Sequence, residues 1–438
     1  MKLLRVAWIQ LKYSVLPFFY LPWTLARRVI LGRDRYFKQY FWDKWGVLDK
    51  RVDDVVRGPG KVIWIDAASG GEILQIVTFI RRLKERHPDV KIILSTASDD
   101  AYHYAGRLSG IDFVFNTPWD FAWVAEKVLR RIHPAIFISI EFTRIPMHFK
   151  TAQRAGIKTV LLSGLMSCDW QRHPTMDRAY ALEYYRYFDL IGAKERRDME
   201  GFAAFGIDRA KIKILGNMKF DIEELSRGAE HIEDLRKDFQ IKSADKIFLA
   251  ASVFPPEDEV VIDAYVKMKQ KINNMRFIIA PRFKKDIPRV IGYLKQYKLS
   301  YLCRSELKKA PLNNDNVIII DTFGELKKIY HLADYIFLSG SIWPVNAIGG
   351  GKNIVEPLVS KKPIFFGPCM NYWKEIIGEL KTVYEKCEVR NAEELAEGIF
   401  GLEDNPGLRQ GLRAKAEQLL EQRSGIIKNN VEAVEALL

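Results

Sequence analysis

The 438-residue chain is longer than one hydrophobic core ordinarily supports, and 48% hydrophobic with 28% charged residues leaves no room for long disorder. Four scattered cysteines (Cys168, Cys303, Cys369, Cys387), with no C-x-x-C pair and no histidine cluster, argue against a disulfide framework or a zinc site and fit a reducing compartment. The net charge of +13 points to anionic partners, but no nucleic-acid module accompanies it, so nucleic acid is not expected among them.

More than half of that excess lies at the N-terminus, where residues 1–50 hold ten Lys and Arg against three acids, a net +7. The basic residues flank an uncharged stretch, Tyr13–Ala26, that includes Phe18, Phe19, Tyr20 and Trp23. A spanning helix needs about 20 apolar residues; this stretch is shorter and carries Pro17 and Pro22. No small-x-small cleavage site precedes Arg27 and Arg28, which argues against a signal peptide. Aromatics rimmed by Lys and Arg suit the headgroup layer of an anionic membrane. Residues 1–50 are therefore read as a membrane-associating segment, with a helix docked on its own domain as the alternative.

From residue 61 short apolar runs alternate with amphipathic ones. Lys61–Asp66, Lys91–Thr96, Ala135–Ile140, Lys158–Ser163, Asp189–Ala193 and Lys211–Leu215 read as strands of one series, with helices over Glu72–Arg86 and Phe121–Ile132. Lys246–Ala251, Arg276–Ala280, Val317–Ile320, Tyr335–Ser339 and Pro363–Phe366 form a second series. Such alternation predicts α/β architecture, two doubly wound, Rossmann-like parallel sheets with helices on both faces. The charged, strandless stretch Asp221–Ser243 separates the series, so the domains are drawn at 51–221 and 222–438. Ligands of such sheets bind beyond the carboxyl ends of the strands.

The first strand runs into Ser69-Gly70-Gly71-Glu72. Two glycines at a strand-to-helix turn allow close backbone approach, and the dipole at the helix start favours an ionised Glu72, as a general base requires. The same dipole would hold Glu72 in a purely structural role, and spacing alone does not separate the two. A second acid, Glu141, closes the strand Ala135–Ile140. In the second series Gly324-Glu325, Gly340-Ser341 and Gly349-Gly350-Gly351 follow successive strands. Glycine turns at helix starts offer free N–H groups to phosphate. Glu356 can accept from ribose hydroxyls, and Arg282, just after a strand, can pair with phosphate. Together these turns point to a nucleotide.

The residues resemble the Kdo transferases, inverting glycosyltransferases that move 3-deoxy-D-manno-oct-2-ulosonic acid from its CMP donor to lipid A precursors. Ser69, Gly71 and Glu72 fit the family's Ser-x-Gly-Glu turn, and Thr117-Pro118-Trp119-Asp120-Phe121 fits its Leu-Pro-Tyr-Asp-Phe. Glu141 and Pro146 fit the ends of Glu-Thr-Glu-Leu-Trp-Pro, and Leu215-Gly216-Asn217-Met218-Lys219-Phe220-Asp221 is similar to Thr-Gly-Asn-Leu-Lys-Phe-Asp. Ser252 and Glu257, Pro281-Arg282, Gly324-Glu325-Leu326, Gly340-Ser341, Gly350-Gly351, Asn353, Glu356-Pro357 and Gly367-Pro368 follow in the family's order. The chain departs from the pattern at Asp66, Phe283 and Lys352, each at a histidine position, and at Val253-Phe254, where the family has Thr-His. Thr143 stands for a Glu, Leu165 for an Arg, and Ile342–Ile348 lengthens a loop.

The resemblance implies a GT-B fold, with Glu72 as base supported by Glu141, and Ser69, Gly71, Lys219 and Ser252 as further matched positions. Arg282, Gly324, Glu325, Gly340, Ser341, Gly350, Gly351, Asn353 and Glu356 would hold the nucleotide. It further implies a CMP-sugar substrate with no metal or other cofactor, a membrane glycolipid acceptor, and a place on the cytoplasmic face of the cytoplasmic membrane. A UDP-sugar transferase or C2 epimerase of the same fold, and a non-catalytic nucleotide-binding protein, are the alternatives.

Overall fold

The computed structural model describes residues 41–142, 145–166, 183, 185–220, 232–307, 317–322, 324–344 and 351–438. The chain forms two compact units: one runs to Asp221 and regains Gly425–Leu438, and the other is Ile222–Ser424. The last helix, Ile426–Glu435, thus packs on the first unit, although the sequence places it with the second domain. Two contacts account for this: the buried Asn430 donates Nδ2 to Leu215 O at 3.0 Å, and Glu435 accepts from Arg86 at 3.0 Å.

The first unit is built on a seven-stranded parallel sheet in the order β3-β2-β1-β4-β5-β6-β7. Its strands are β1 Val62–Asp66, β2 Lys91–Thr96, β3 Phe113–Asn116, β4 Ile136–Ile140, β5 Lys158–Gly164, β6 Leu190–Ala193 and β7 Ile212–Ile214. β1 and β4 are buried along their whole length, as a central parallel strand covered on both faces must be. Trp64 of β1 stacks on Phe137 of β4 with centroids 3.9 Å apart, and Phe137 stacks on Phe149 at 4.0 Å. Burying such rings contributes about 1.5–3 kcal/mol each. Trp64 also donates Nε1 to Ser95 Oγ at 2.9 Å.

The second unit carries a six-stranded parallel sheet in the order β10-β11-β9-β8-β12-β13. Here the strands are β8 Lys246–Val253, β9 Met275–Pro281, β10 Tyr301–Cys303, β11 Val317–Ile319, β12 Tyr335–Leu338 and β13 Ile364–Phe366. In each sheet the chain starts at a central strand, winds outward one way and then returns to wind the other. That reversal creates a crevice between β1 and β4 in the first unit and between β8 and β12 in the second, where doubly wound sheets bind ligands.

Two strands lie outside the sequence-read series, β3 and β10, both at sheet edges. The helix expected over Glu72–Arg86 is two helices, Gly70–Leu74 and Val77–Arg86, with Gln75 and Ile76 between them. Of the membrane-associating segment read at 1–50, residues 1–40 lie outside the described residues, as do Gly350 and Thr143. Among the described residues no helix is long and apolar enough to cross a membrane.

Candidate active site

The β1/β4 crevice of the first unit gathers acids. Asp66 ends β1 and is buried; its Oδ1 accepts from Ser95 Oγ at 2.6 Å and Thr117 Oγ1 at 2.9 Å, tying together the ends of neighbouring strands. Ser69 caps the next helix by accepting from the Glu72 N–H at 3.3 Å. The Glu72 side chain turns back, accepting from Ala68 N–H at 2.6 Å (Oε2) and Ser69 Oγ at 3.2 Å (Oε1). Reaching back to the N–H one residue before the N-cap, the side chain fixes a buried carboxylate at the mouth of the sheet. Both readings of Glu72 therefore keep their footing, since a capped carboxylate retains lone pairs for a substrate proton.

On the other side of the crevice Glu141 leaves β4 with φ +63°, a left-handed conformation that a non-glycine residue adopts at a cost of about 1–3 kcal/mol. It carries Glu141 Oε1 to 3.0 Å from Lys194 Nζ and 2.6 Å from Lys219 Nζ. Burial alone would push the Glu141 carboxyl up, but the two ammonium groups more than reverse this and bring it down to about 2. Burial also pulls the Lys194 ammonium below its ordinary value, against the pull of Glu141. Gln75, at the break between the two helices, donates Nε2 to Glu141 Oε1 at 3.4 Å, while its own Oε1 is buried without a partner. Gln75 lies three residues beyond Glu72, so this contact ties the segment that carries Glu72 to the end of β4. The sequence reading includes Lys219 but misses Lys194 and Gln75. Lys194 follows the apolar strand β6 directly, the same signal that singles out Glu141 after β4.

The second crevice is organised by a residue to which the sequence reading gave no role. Glu257 opens the helix Glu257–Lys271 and is buried. Its Oε2 accepts from Ser339 Oγ and Gly340 N–H, both at 2.7 Å; its Oε1 accepts from Ser341 N–H at 3.0 Å, Ile342 N–H at 2.8 Å and Trp343 N–H at 3.3 Å. Five donors on one carboxylate leave no free N–H at Gly340 or Ser341, which corrects the expectation that this turn offers them to phosphate. Ser341 Oγ is also spent internally, donating to Leu338 O at 2.6 Å and accepting from Gly367 N–H at 2.8 Å. Gly367 has to be glycine, because a Cβ there would stand 2.3 Å from Ile342 N.

Other members of the predicted nucleotide set lie around this loop. Arg282 follows β9, and Ser252, next to last in β8, lies at a bulge with φ +55°. Arg282 and Glu356 act on the same buried phenol, Tyr330, whose pKa is raised well above the ordinary value by burial and by Glu356, with Arg282 opposing. Asn353 accepts from Val355 N–H at 3.1 Å and donates to Glu356 Oε1 at 3.2 Å, so it binds the first N–H of a short helix and orients the acid. Gly351 has φ +72° and packs where a Cβ would meet Met370 Sδ at 2.2 Å. Gly324 and Glu325 sit beyond β11, with Glu325 held by Arg304 at 3.0 Å. A recess of about 520 Å³ opens beside Gly367 and Pro368, bordered by Asn371, Lys374 and Lys381.

Two doubly wound parallel sheets, each with polar groups near its topological switch point, give the chain a GT-B-like architecture. Residues 40–222 match the family described as 3-deoxy-D-manno-octulosonic-acid transferase (kdotransferase). A 3-deoxy-D-manno-octulosonic acid transferase of Chlamydia trachomatis serovar A is 27% identical over 409 residues, covering 92% of this chain and 91% of the relative. The Haemophilus influenzae enzyme of the same name is 26% identical over 372 residues, 84% of this chain and 85% of that one. A glycosyltransferase structure from Rickettsia africae superposes with a TM-score of 0.60 at 16% identity, covering 86% of this chain and 98% of that one. These similarities support a divergent member of the Kdo transferase family.

Proposed function

We propose that the chain is an inverting transferase that moves Kdo, or a sugar acid of that class, from a CMP-activated donor to a hydroxyl of a lipid A precursor or similar membrane glycolipid. The carrying observation is the capped Glu72 carboxylate at the first switch point, with Gln75 of the same segment bonded to the Glu141–Lys194–Lys219 cluster. The acceptor oxygen attacks the anomeric carbon, the bond from that carbon to the phosphate oxygen breaks, and CMP leaves with the electron pair. The acceptor proton passes to Glu72, and a single displacement inverts the configuration. Glu141 is a positioning residue, held ionised by two lysines and keeping Gln75 and Lys219 in place. In the second unit Arg282 meets the phosphate and Glu356 the ribose; Gly324, Glu325, Gly351, Asn353 and Ser252 shape the surrounding loops. Gly340 and Ser341 serve as the floor that Glu257 holds down.

Thermal-shift measurements test the donor, because a ligand that binds only the folded state stabilises it. CMP should raise the melting temperature, and Glu356→Ala should abolish that rise while the protein stays folded. A rise with UDP and none with CMP would assign the chain to UDP-sugars instead. The membrane reading rests on the basic, aromatic residues 1–50 and places the enzyme on the cytoplasmic face of an anionic bilayer, where each nearby Lys or Arg contributes about 1 kcal/mol. Deleting residues 1–26 should release the protein from anionic vesicles and leave CMP binding intact.

A further inference from the structure

The second unit displays three cations with no ion-pair partner among the described residues. Lys352 Nζ stands 4.3 Å from the centre of the Phe254 ring, while Arg282 and Lys285 lie over the Phe283 ring at 5.9 and 5.2 Å. The two rings meet edge to face at 5.7 Å. Among the described residues none of the three cations forms an ion pair; Glu257, whose charge favours the Lys352 ammonium, has both oxygens turned to its five donors. A ring holds an ammonium in place for about 0.5–1 kcal/mol without cancelling its charge. Keeping a half-buried lysine unpaired is costly unless an anion completes it. Position 352 and the ring positions 254 and 283 are also where the chain departs from the histidines of the family pattern, so separate substitutions in sequence form one cluster in space.

We propose that Lys352 and Arg282 form a two-cation clamp on the phosphate of the nucleotide donor, aimed by the Phe254–Phe283 pair. This rests on the donor reading above and adds Lys352, Phe254 and Phe283 to it as specificity-determining residues. Phosphate lies at the mouth of the β8/β12 crevice, where charge-assisted hydrogen bonds contribute about 1.5–3 kcal/mol each, and the rings keep both cations directed at it.

Calorimetric titration of the full chain with CMP and with cytidine, which lacks the phosphate, tests the clamp. Lys352→Met should weaken CMP binding by about 10- to 100-fold and leave cytidine binding unchanged. Phe254→Leu should weaken CMP by only about 2- to 5-fold, and Lys352→Arg should bind nearly as the native chain does. Native CMP affinity in Lys352→Met, with Arg282→Met weakened, would overturn the clamp and leave the donor reading standing. If the native chain binds UDP and not CMP, the CMP assignment fails and the same variants judge the clamp against UDP and uridine. If it binds no nucleotide, both fall.

Discussion

The two sheets reverse direction in the same way, yet they arrange opposite charges at the reversal. In the first unit the carboxylate at the end of β4 is balanced by side chains, with Lys194 and Lys219 both on Glu141 Oε1. In the second unit the buried carboxylate is balanced by backbone, with Glu257 taking four N–H groups and one hydroxyl. The difference lies in what each solution leaves over. Lysines spent on Glu141 leave an acid-rich crevice with Glu72 and Asp66, suited to a hydroxyl and its proton. Backbone spent on Glu257 leaves Arg282 and Lys352 with no ion-pair partner among the described residues, suited to an anion. On the proposed reading, one fold motif used twice gives a proton-accepting unit and a phosphate-binding unit.

The largest effect should come from breaking the first half of this contrast. Glu72→Gln keeps the hydrogen bond from Ala68 and the helix cap but cannot take a proton. Turnover should fall by about two to four orders of magnitude with CMP affinity unchanged. Turnover near the native rate would reduce Glu72 to the capping residue its geometry also allows. The next effect breaks the second half. Glu257→Ala strands buried N–H groups at residues 340–343, and removing one side of such a buried charged network costs about 3–5 kcal/mol. Melting temperature should drop and amide exchange across residues 339–343 should accelerate, with Glu257→Gln intermediate. Unchanged protection there would mean that the loop holds its shape without the carboxylate.

The third effect is smaller and depends on pH. Glu141 has a folded value of about 2 against an ordinary 4.5. A depressed carboxylate stabilises the fold above its unfolded value and loses that contribution as pH falls toward its folded one. Glu141 should therefore supply about 3 kcal/mol at neutral pH, lost between pH 4.5 and 2. Denaturant midpoints across that range should slope less in Glu141→Gln than in the native chain. Parallel profiles would show that the two lysines do not act on this acid.

How much of this was legible in the sequence follows from what each signal encodes. Central strands such as β1 and β4 are buried on both faces and so read as unbroken apolar runs. Edge strands β3 and β10 are only four and three residues long, and β10 is half-buried throughout, so their pattern is faint. Glu72 and Glu141 stand out because an acid after an apolar strand is conspicuous. The occupation of Gly340 and Ser341 is not legible, because the acid that fills their turn lies 83 positions away in the chain. Nor does spacing reveal that positions 254, 283 and 352 meet, since only the winding of β8, β9 and β12 brings those loops to one edge. The return of Ile426–Glu435 to the first unit is likewise a tertiary choice, made by Asn430 and Glu435.

The smallest effect sharpens the comparison from its alkaline side. Burial and the neighbouring Arg282 pull the Lys352 ammonium below its ordinary 10.5, with Glu257 pulling it partly back. Lys352 therefore discharges at a lower pH than an exposed lysine does. Phosphate favours the charged form, so CMP affinity should decline as pH rises from neutrality toward 10.5, through the range where this lysine loses its proton. The decline should be severalfold only, about 1 kcal/mol or less near its onset, because Arg282 still faces the phosphate. In Lys352→Met the same titration should be flatter, starting from its weaker neutral-pH affinity. The first unit is then the one that fails as pH falls, through Glu141, and the second is the one that fails as pH rises, through Lys352. Equal alkaline slopes in the native chain and in Lys352→Met would assign the decline to another group and remove Lys352 from the donor site.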